Sequence, residues 1–190
     1  MAKSFISSSE PSNPVTIVTD FPFLQYPLNS GYEIVYPKLT EYLINRFPNI
    51  VNVPKIINTI KLITGLSDSQ IKEDLTWGKG PIIHITQLDN FTSRTSDKTV
   101  GLFTRSEPDV VHLDIDYVNE LENLITDQSQ EDAFLFFLGT TLLHEYVHYG
   151  DNQDGVEFRD GIEEGNLFEL IVYGENVNPT NAGFILEDKN

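Results

Sequence analysis

From Ala133 to Leu143 the chain reads AFLFFLGTTLL, without a charged residue and with only Gly139 and two threonines breaking the apolar series. A helix that is apolar nearly all round is covered on several sides, so this segment belongs in the middle of a domain with other elements wrapped around it. Ser129 with Asp132 gives a capping signal before it and Gly150 a suitable stop after it, which predicts a helix over residues 131–149. The helix ends in His144-Glu145-Tyr146-Val147-His148 and runs into a loop dense in Asp, Asn and Gly. A buried helix that ends beside an acidic loop is a place for a cleft.

His144 and His148 are four apart, so on a helix their side chains stack on one face. Two imidazoles so placed can take two corners of a tetrahedral Zn²⁺ site. Glu145 sits about 100° round the helix from His144, at the edge of that face. There it can reach a metal-bound water without ligating the metal, which gives two ligands and one general base. A satisfied core pair of histidines is the alternative, but half of the chain's four histidines lie in this one motif.

A catalytic zinc needs a third protein ligand. No histidine follows His148. Upstream, His84 and His112 read as cross-strand or cleft-lining residues, with His112 a possible oxyanion donor. Downstream stand Asp151, Asp154, Glu157, Asp160, Glu163, Glu164 and Glu169. Glu169 is the expected ligand, because it is the only charge in LFELIVYG and a buried carboxylate is costly unless paired or metal-bound. The others lie in polar loop sequence, where solvated charge is the default. Asn166 could cap the helix carrying Glu169 and put it in the first turn. Asp151 is the next choice if the helix continues past Gly150, either as ligand or as acceptor for a histidine N–H. Glu164 is third, since Gly165 allows a close approach. Tyr173, one turn beyond Glu169, is a candidate for steadying a substrate oxyanion, and Tyr149 adjoins the motif.

The rest of the chain supplies a frame. Residues 1–14 read as a loose arm, Val15–Val18 as a short strand and the stretch to Gly31 as loop. Helical spacing over 37–47, a second helix from Pro54 to Gly65, and a third from Ser67, with Gln70 completing a capping box, make 37–75 helical. GPIIHITQL, TVGLFTR and DVVHLDID then read as strands within 80–115. In the last, Val111, Leu113 and Ile115 should face the core; Val110, His112 and Asp114 should face a partly open side. YVNELENLI follows as a short helix, and 166–174 as the helix of the third ligand, with a polar tail after it. Helices first, a sheet next and a central helix after it predict one α+β domain over residues 1–190.

A formal net charge of −17 disfavours phosphate backbones and anionic lipid surfaces as partners. It suits solubility, or an acidic cleft that prefers basic peptide segments. With no cysteine, any metal must use His, Asp or Glu. MAKSFISSSEPSNP has no apolar core and is not a secretory signal, and no apolar run is long enough for a membrane span. The expectation is a soluble chain without membrane insertion or nucleic acid.

His144-Glu145-Tyr146-Val147-His148 is similar to the zincin metallopeptidase signature, and with a downstream glutamate it resembles the gluzincins. The longer pattern HEYVHYGDNQDG…EEGNLFELIVYG resembles the metallopeptidase toxin 3 domains of bacterial polymorphic toxins, over roughly residues 100–175. The resemblance implies a zincin-like fold: a mixed sheet whose edge strand runs beside the active-site helix, for which DVVHLDID is the candidate. It implies Zn²⁺ held by His144, His148 and Glu169, with Glu145 as base in peptide hydrolysis. It also implies a protein or peptide substrate, a cognate inhibitor or immunity protein, and a place in the cytoplasm or as toxin cargo exported without a signal. The competing reading is a zinc-binding effector or interaction module whose site is structural or vestigial.

Overall fold

The computed structural model describes residues 24–88, 98–124, 128–155 and 163–188. The expected N-terminal arm and the strand at Val15–Val18 lie outside them. The helical part opens with α1 (Tyr32–Val35), α2 (Pro37–Asn45) and α3 (Pro54–Thr64), with a 3-10 segment at Phe47–Asn52 between the last two. Proline opens both α2 and α3, where its missing N–H is not needed. Gly65, at φ 70°, closes α3 in the left-handed region. Ser67 caps α4 (Asp68–Asp74) by accepting from the Gln70 N–H at 3.2 Å, as its capping pattern predicts.

Among the described residues the sheet has three strands, β1 (Ile82–Thr86), β2 (Gly101–Phe103) and β3 (Val110–Asp114), in the order β1-β3-β2. The β1–β3 pair is parallel and the β2–β3 pair antiparallel, so the sheet is mixed. This corrects two expectations. DVVHLDID is the central strand and not the edge; the edge beside the central helix is β2. The second face of β3 is not open either: His112 and Asp114 are both buried. Asp114 is buried because it works as a cap. Its carboxylate accepts from the N–H of Leu88 at 2.8 Å and of Asp116 at 3.0 Å, and it starts α5 (Ile115–Asn123) two residues before the expected helix.

The central helix, α6, spans Gln128–Asp154. Phe134, Leu135, Phe137, Leu138, Leu142, Leu143, Tyr146 and Val147 are all buried, on several sides of the helix, as an all-round apolar run requires. Ser129 lies inside its first turn, not at its cap, because Gln128 is already helical. Gly150 does not end it. A Cβ there would come within 2.8 Å of Thr64 Cγ2, so this glycine serves close packing of α6 on the end of α3, and the helix runs on to Asp154 before Gly155 at φ 68°. Two helices follow, α7 (Glu164–Tyr173) and α8 (Ala182–Asp188). The latter replaces the expected tail, with Ala182 and Ile185 buried. The architecture is α+β. Among the described residues no helix is long and apolar enough to cross a membrane.

Candidate metal centre

The polar end of α6 faces a cleft of about 350 Å³ between β2 and the start of α7. Its walls include Gly101 and Phe103 of β2, Arg105, His144, Glu145, His148, Asp151, Glu163 and Glu164. Nε2 of His144 and Nε2 of His148 converge on one carboxylate oxygen, Oε1 of Glu163, at 3.1 and 2.6 Å. Donor atoms of these three residues all lie within 4.8 Å of one another. In a tetrahedral zinc site with bonds of about 2.0–2.1 Å, neighbouring donors sit about 3.3 Å apart. The cluster is therefore near the spacing a metal needs, and its donors are of the type zinc takes.

The opposite nitrogens are also engaged. Nδ1 of His144 lies 2.7 Å from Oε1 of Glu169, and Nδ1 of His148 lies 3.1 Å from Oε2 of Glu164. Each imidazole thus has a carboxylate on the nitrogen turned away from the cluster, the arrangement that fixes ring and tautomer in metal-ligating histidines. Glu169 is itself fixed, because its Oε2 accepts from the backbone N–H of Val177 at 2.5 Å.

Local sequence explains this placement. Glu163 is the residue before α7, and its side chain caps the helix by accepting from the Asn166 N–H. The expected cap, Asn166, is inside α7, so Glu169 lies past the first turn. Gly165 lets α7 approach α6. A Cβ there would fall 2.2–2.4 Å from ring atoms of His144, which leaves no room for any side chain.

Charge in the cluster is strongly redistributed. Burial disfavours the charged imidazole of His144, but the hydrogen bonds to Glu163 and Glu169 outweigh it and push its pKa up to about 10. His148 moves the same way, against its own burial, chiefly through Glu163. Burial would raise the Glu163 carboxyl; its hydrogen bonds to both histidines win and hold it well below the usual carboxylate range. With a carboxylate on each nitrogen, both rings are drawn toward the doubly protonated form when no metal is bound.

Glu145 is held apart from that cluster. It is 7% exposed, beneath β2, and accepts from the backbone N–H of Phe103. Burial raises its pKa, although the two neighbouring imidazoles oppose the shift. Gly101 makes the overlap possible: a Cβ there would sit 2.6 Å from Thr141 Cγ2 and 2.9 Å from Glu145 Oε1. A smaller pocket of about 210 Å³, also lined by Gly101, likewise reaches His144, Glu145 and Glu169.

The expected residues are therefore sorted by place. His144, Glu145 and His148 come together. Asp151 joins the cleft because α6 continues past Gly150, and it is buried there. Glu164 and Glu169 meet the histidines on Nδ1, away from the convergence point. Tyr173 does not reach the cleft: its ring packs against Phe136 and Phe168 and lines an apolar cavity with Tyr42 and Val172. Tyr149 packs on Phe103 and Tyr146. His84 and His112 lie on the other face of the sheet. Glu163, counted among the loop carboxylates in the sequence, takes the central position. The signal for it was the pair Glu163-Glu164 followed by Gly165, directly before an apolar helix.

Fold and cluster together define a zincin-like chain, with H-E-x-x-H on a central helix under the edge of a mixed sheet. The sequence model of the family described as metallopeptidase toxin 3 matches residues 32–174, and the chain belongs to that family. No curated protein matches it, and no solved structure does.

Proposed function

We propose that the chain is a zinc-dependent endopeptidase of the toxin or effector type, with His144, His148 and Glu163 as metal ligands and Glu145 as general base. The observation that carries this reading is the convergence of both Nε2 atoms on the Glu163 carboxylate, beside a buried Glu145. Zinc in such a set supplies a Lewis acid that polarises a carbonyl oxygen and acidifies water.

The chain's own residues do the rest. Glu145 takes a proton on its carboxylate and delivers it to the leaving amine. Its burial favours the protonated form, which suits a group that must also release the proton as an acid. Glu169 and Glu164 keep the two imidazoles oriented through Nδ1. An extended peptide laid along the edge of β2 would be held by main-chain hydrogen bonds, with its backbone over Glu145. The carboxylates of Asp151, Glu163 and Glu164 outnumber the one arginine of the cleft wall, Arg105, which favours substrates with basic side chains near the scissile bond. A cognate inhibitor or immunity protein that covers this cleft is part of the same reading.

The test is Glu145→Gln, purified and loaded with zinc beside wild type. The variant should keep about one zinc per chain and lose roughly 10²–10⁴-fold in peptide hydrolysis. Hydrolysis at the wild-type rate would overturn the base assignment. A wild type that binds zinc but cleaves nothing in a peptide library would favour the interaction-module reading.

A further inference from the structure

We propose that the chain carries a second transition-metal site on the far face of the sheet, with the imidazoles of His84 and His112 as its ligands and Glu107 holding the ring of His112. The far face follows from the register. Gly101 and Phe103, which lie against Thr141, Glu145 and Tyr149 of α6, pair with Leu113 and Val111 of β3. His112, between those two, therefore points away from α6, and His84 is its direct partner on the parallel strand β1.

The two rings have the separation of a ligand pair. Their centroids are 5.3 Å apart with an interplanar angle of 59°. The corresponding values for His144 and His148 are 5.2 Å and 63°. Adjacent parallel strands have here produced nearly the same imidazole pair that H-x-x-x-H spacing produces on a helix.

The hydrogen bonding of His112 completes the argument. Its Nε2 lies 3.2 Å from Oε2 of Glu107, while its Nδ1 is buried and has no hydrogen-bond partner. With Glu107 accepting on that side, the neutral ring carries its proton on Nε2, and Nδ1 is left with a free lone pair. A carboxylate on one nitrogen and an available lone pair on the other is the preparation of a metal-ligating histidine. His84 is half-buried and supplies the second imidazole. Two nitrogen donors select Cu²⁺, Ni²⁺ or Zn²⁺ over the oxygen-seeking Ca²⁺ and Mg²⁺, with Cu²⁺ bound most tightly.

The experiment is equilibrium dialysis of the full chain against Zn²⁺ and against Cu²⁺, with circular dichroism to follow folding. Wild type should bind two ions per chain, His84→Ala one, His148→Ala one, and the double variant none. Equal stoichiometry in wild type and His84→Ala would overturn the proposal, as would a folded His148→Ala that binds neither ion. If His148→Ala fails to fold, the comparison of wild type with His84→Ala still decides it. Loss of the ion removed by His148→Ala, with the other kept, would leave this site standing whatever the fate of the peptidase reading.

Discussion

Glu169 and His144 meet at 2.7 Å through Nδ1 of the imidazole, on the side of the ring opposite the nitrogen that faces Glu163. A carboxylate in that position orients a ligand and raises its basicity; it does not itself close the metal's shell. Glu163→Ala should therefore abolish zinc binding, while Glu169→Gln should keep the metal at an affinity lower by about 10–100-fold. Elemental analysis together with a chelator competition separates the two outcomes. Zinc retained in full by Glu163→Ala and lost in Glu169→Gln would reverse the roles.

Gly101 and Gly165 press on the site from opposite walls. Gly165→Ala would force a methyl into the His144 ring, and Gly101→Ala would force one into Thr141 and the Glu145 carboxylate. The first should weaken zinc binding. The second should leave the zinc content near wild type and lower hydrolysis, because what it displaces is Glu145 and the edge on which a peptide would lie. Equal loss of metal in both variants would show that the two walls do not act separately.

Much of this frame is legible in the sequence, for physical reasons. An all-round apolar segment has one stable location, so the burial of most of Ala133–Leu143 follows from its apolar series alone. H-E-x-x-H needs only helical geometry to bring His144 and His148 together. Sequence and structure part where tertiary contact decides. Gly150 reads as a stop, but the packed end of α3 makes it a close-approach residue inside a continuing helix. Asp114 reads as strand surface, yet it is buried because it caps α5 and accepts from Leu88. Local polarity separates Glu169 from Glu163 in the sequence, but it is blind to which nitrogen of a ring a carboxylate will meet. That choice depends on how α7 crosses α6, and a single glycine, Gly165, permits it.

The metal-free protein should be pH-sensitive in a defined window. His144 has a raised folded pKa, so its contribution is fully present below its ordinary value of 6.5 and is lost as pH rises through about 10. Glu163 is depressed, so its contribution is present above its ordinary 4.5 and is lost as pH falls through the folded value. The two describe one set of contacts and are not additive. After chelation, stability from this cluster should be greatest between about pH 4.5 and 6.5 and should fall steadily toward pH 10. Zinc competes with the protons on Nε2, so reloading should release protons and flatten the alkaline limb. Thermal melts with and without zinc, in wild type and Glu163→Ala, test this; an alkaline limb unchanged in metal-free Glu163→Ala would exclude the cluster as its source.

Tyr146, between Glu145 and His148, points the other way from both. Its hydroxyl donates to Oδ2 of Asp74 at 2.8 Å, inside the protein, while Gln70 donates to Oδ1 of the same carboxylate at 2.9 Å. Burial already raises the Asp74 pKa, and these two donors are what oppose that shift. Tyr146→Phe keeps the ring and its packing but leaves a buried carboxylate oxygen without its donor. The expected cost is about 1–3 kcal/mol of stability, read from urea unfolding at neutral pH. Because the hydroxyl ties the H-E-x-x-H turn of α6 to α4 and the proposed ligands are untouched, zinc affinity should fall only modestly. A change in stability below about 0.5 kcal/mol, the range of an ordinary surface substitution, would mean that this hydrogen bond does not help to hold the helix in place.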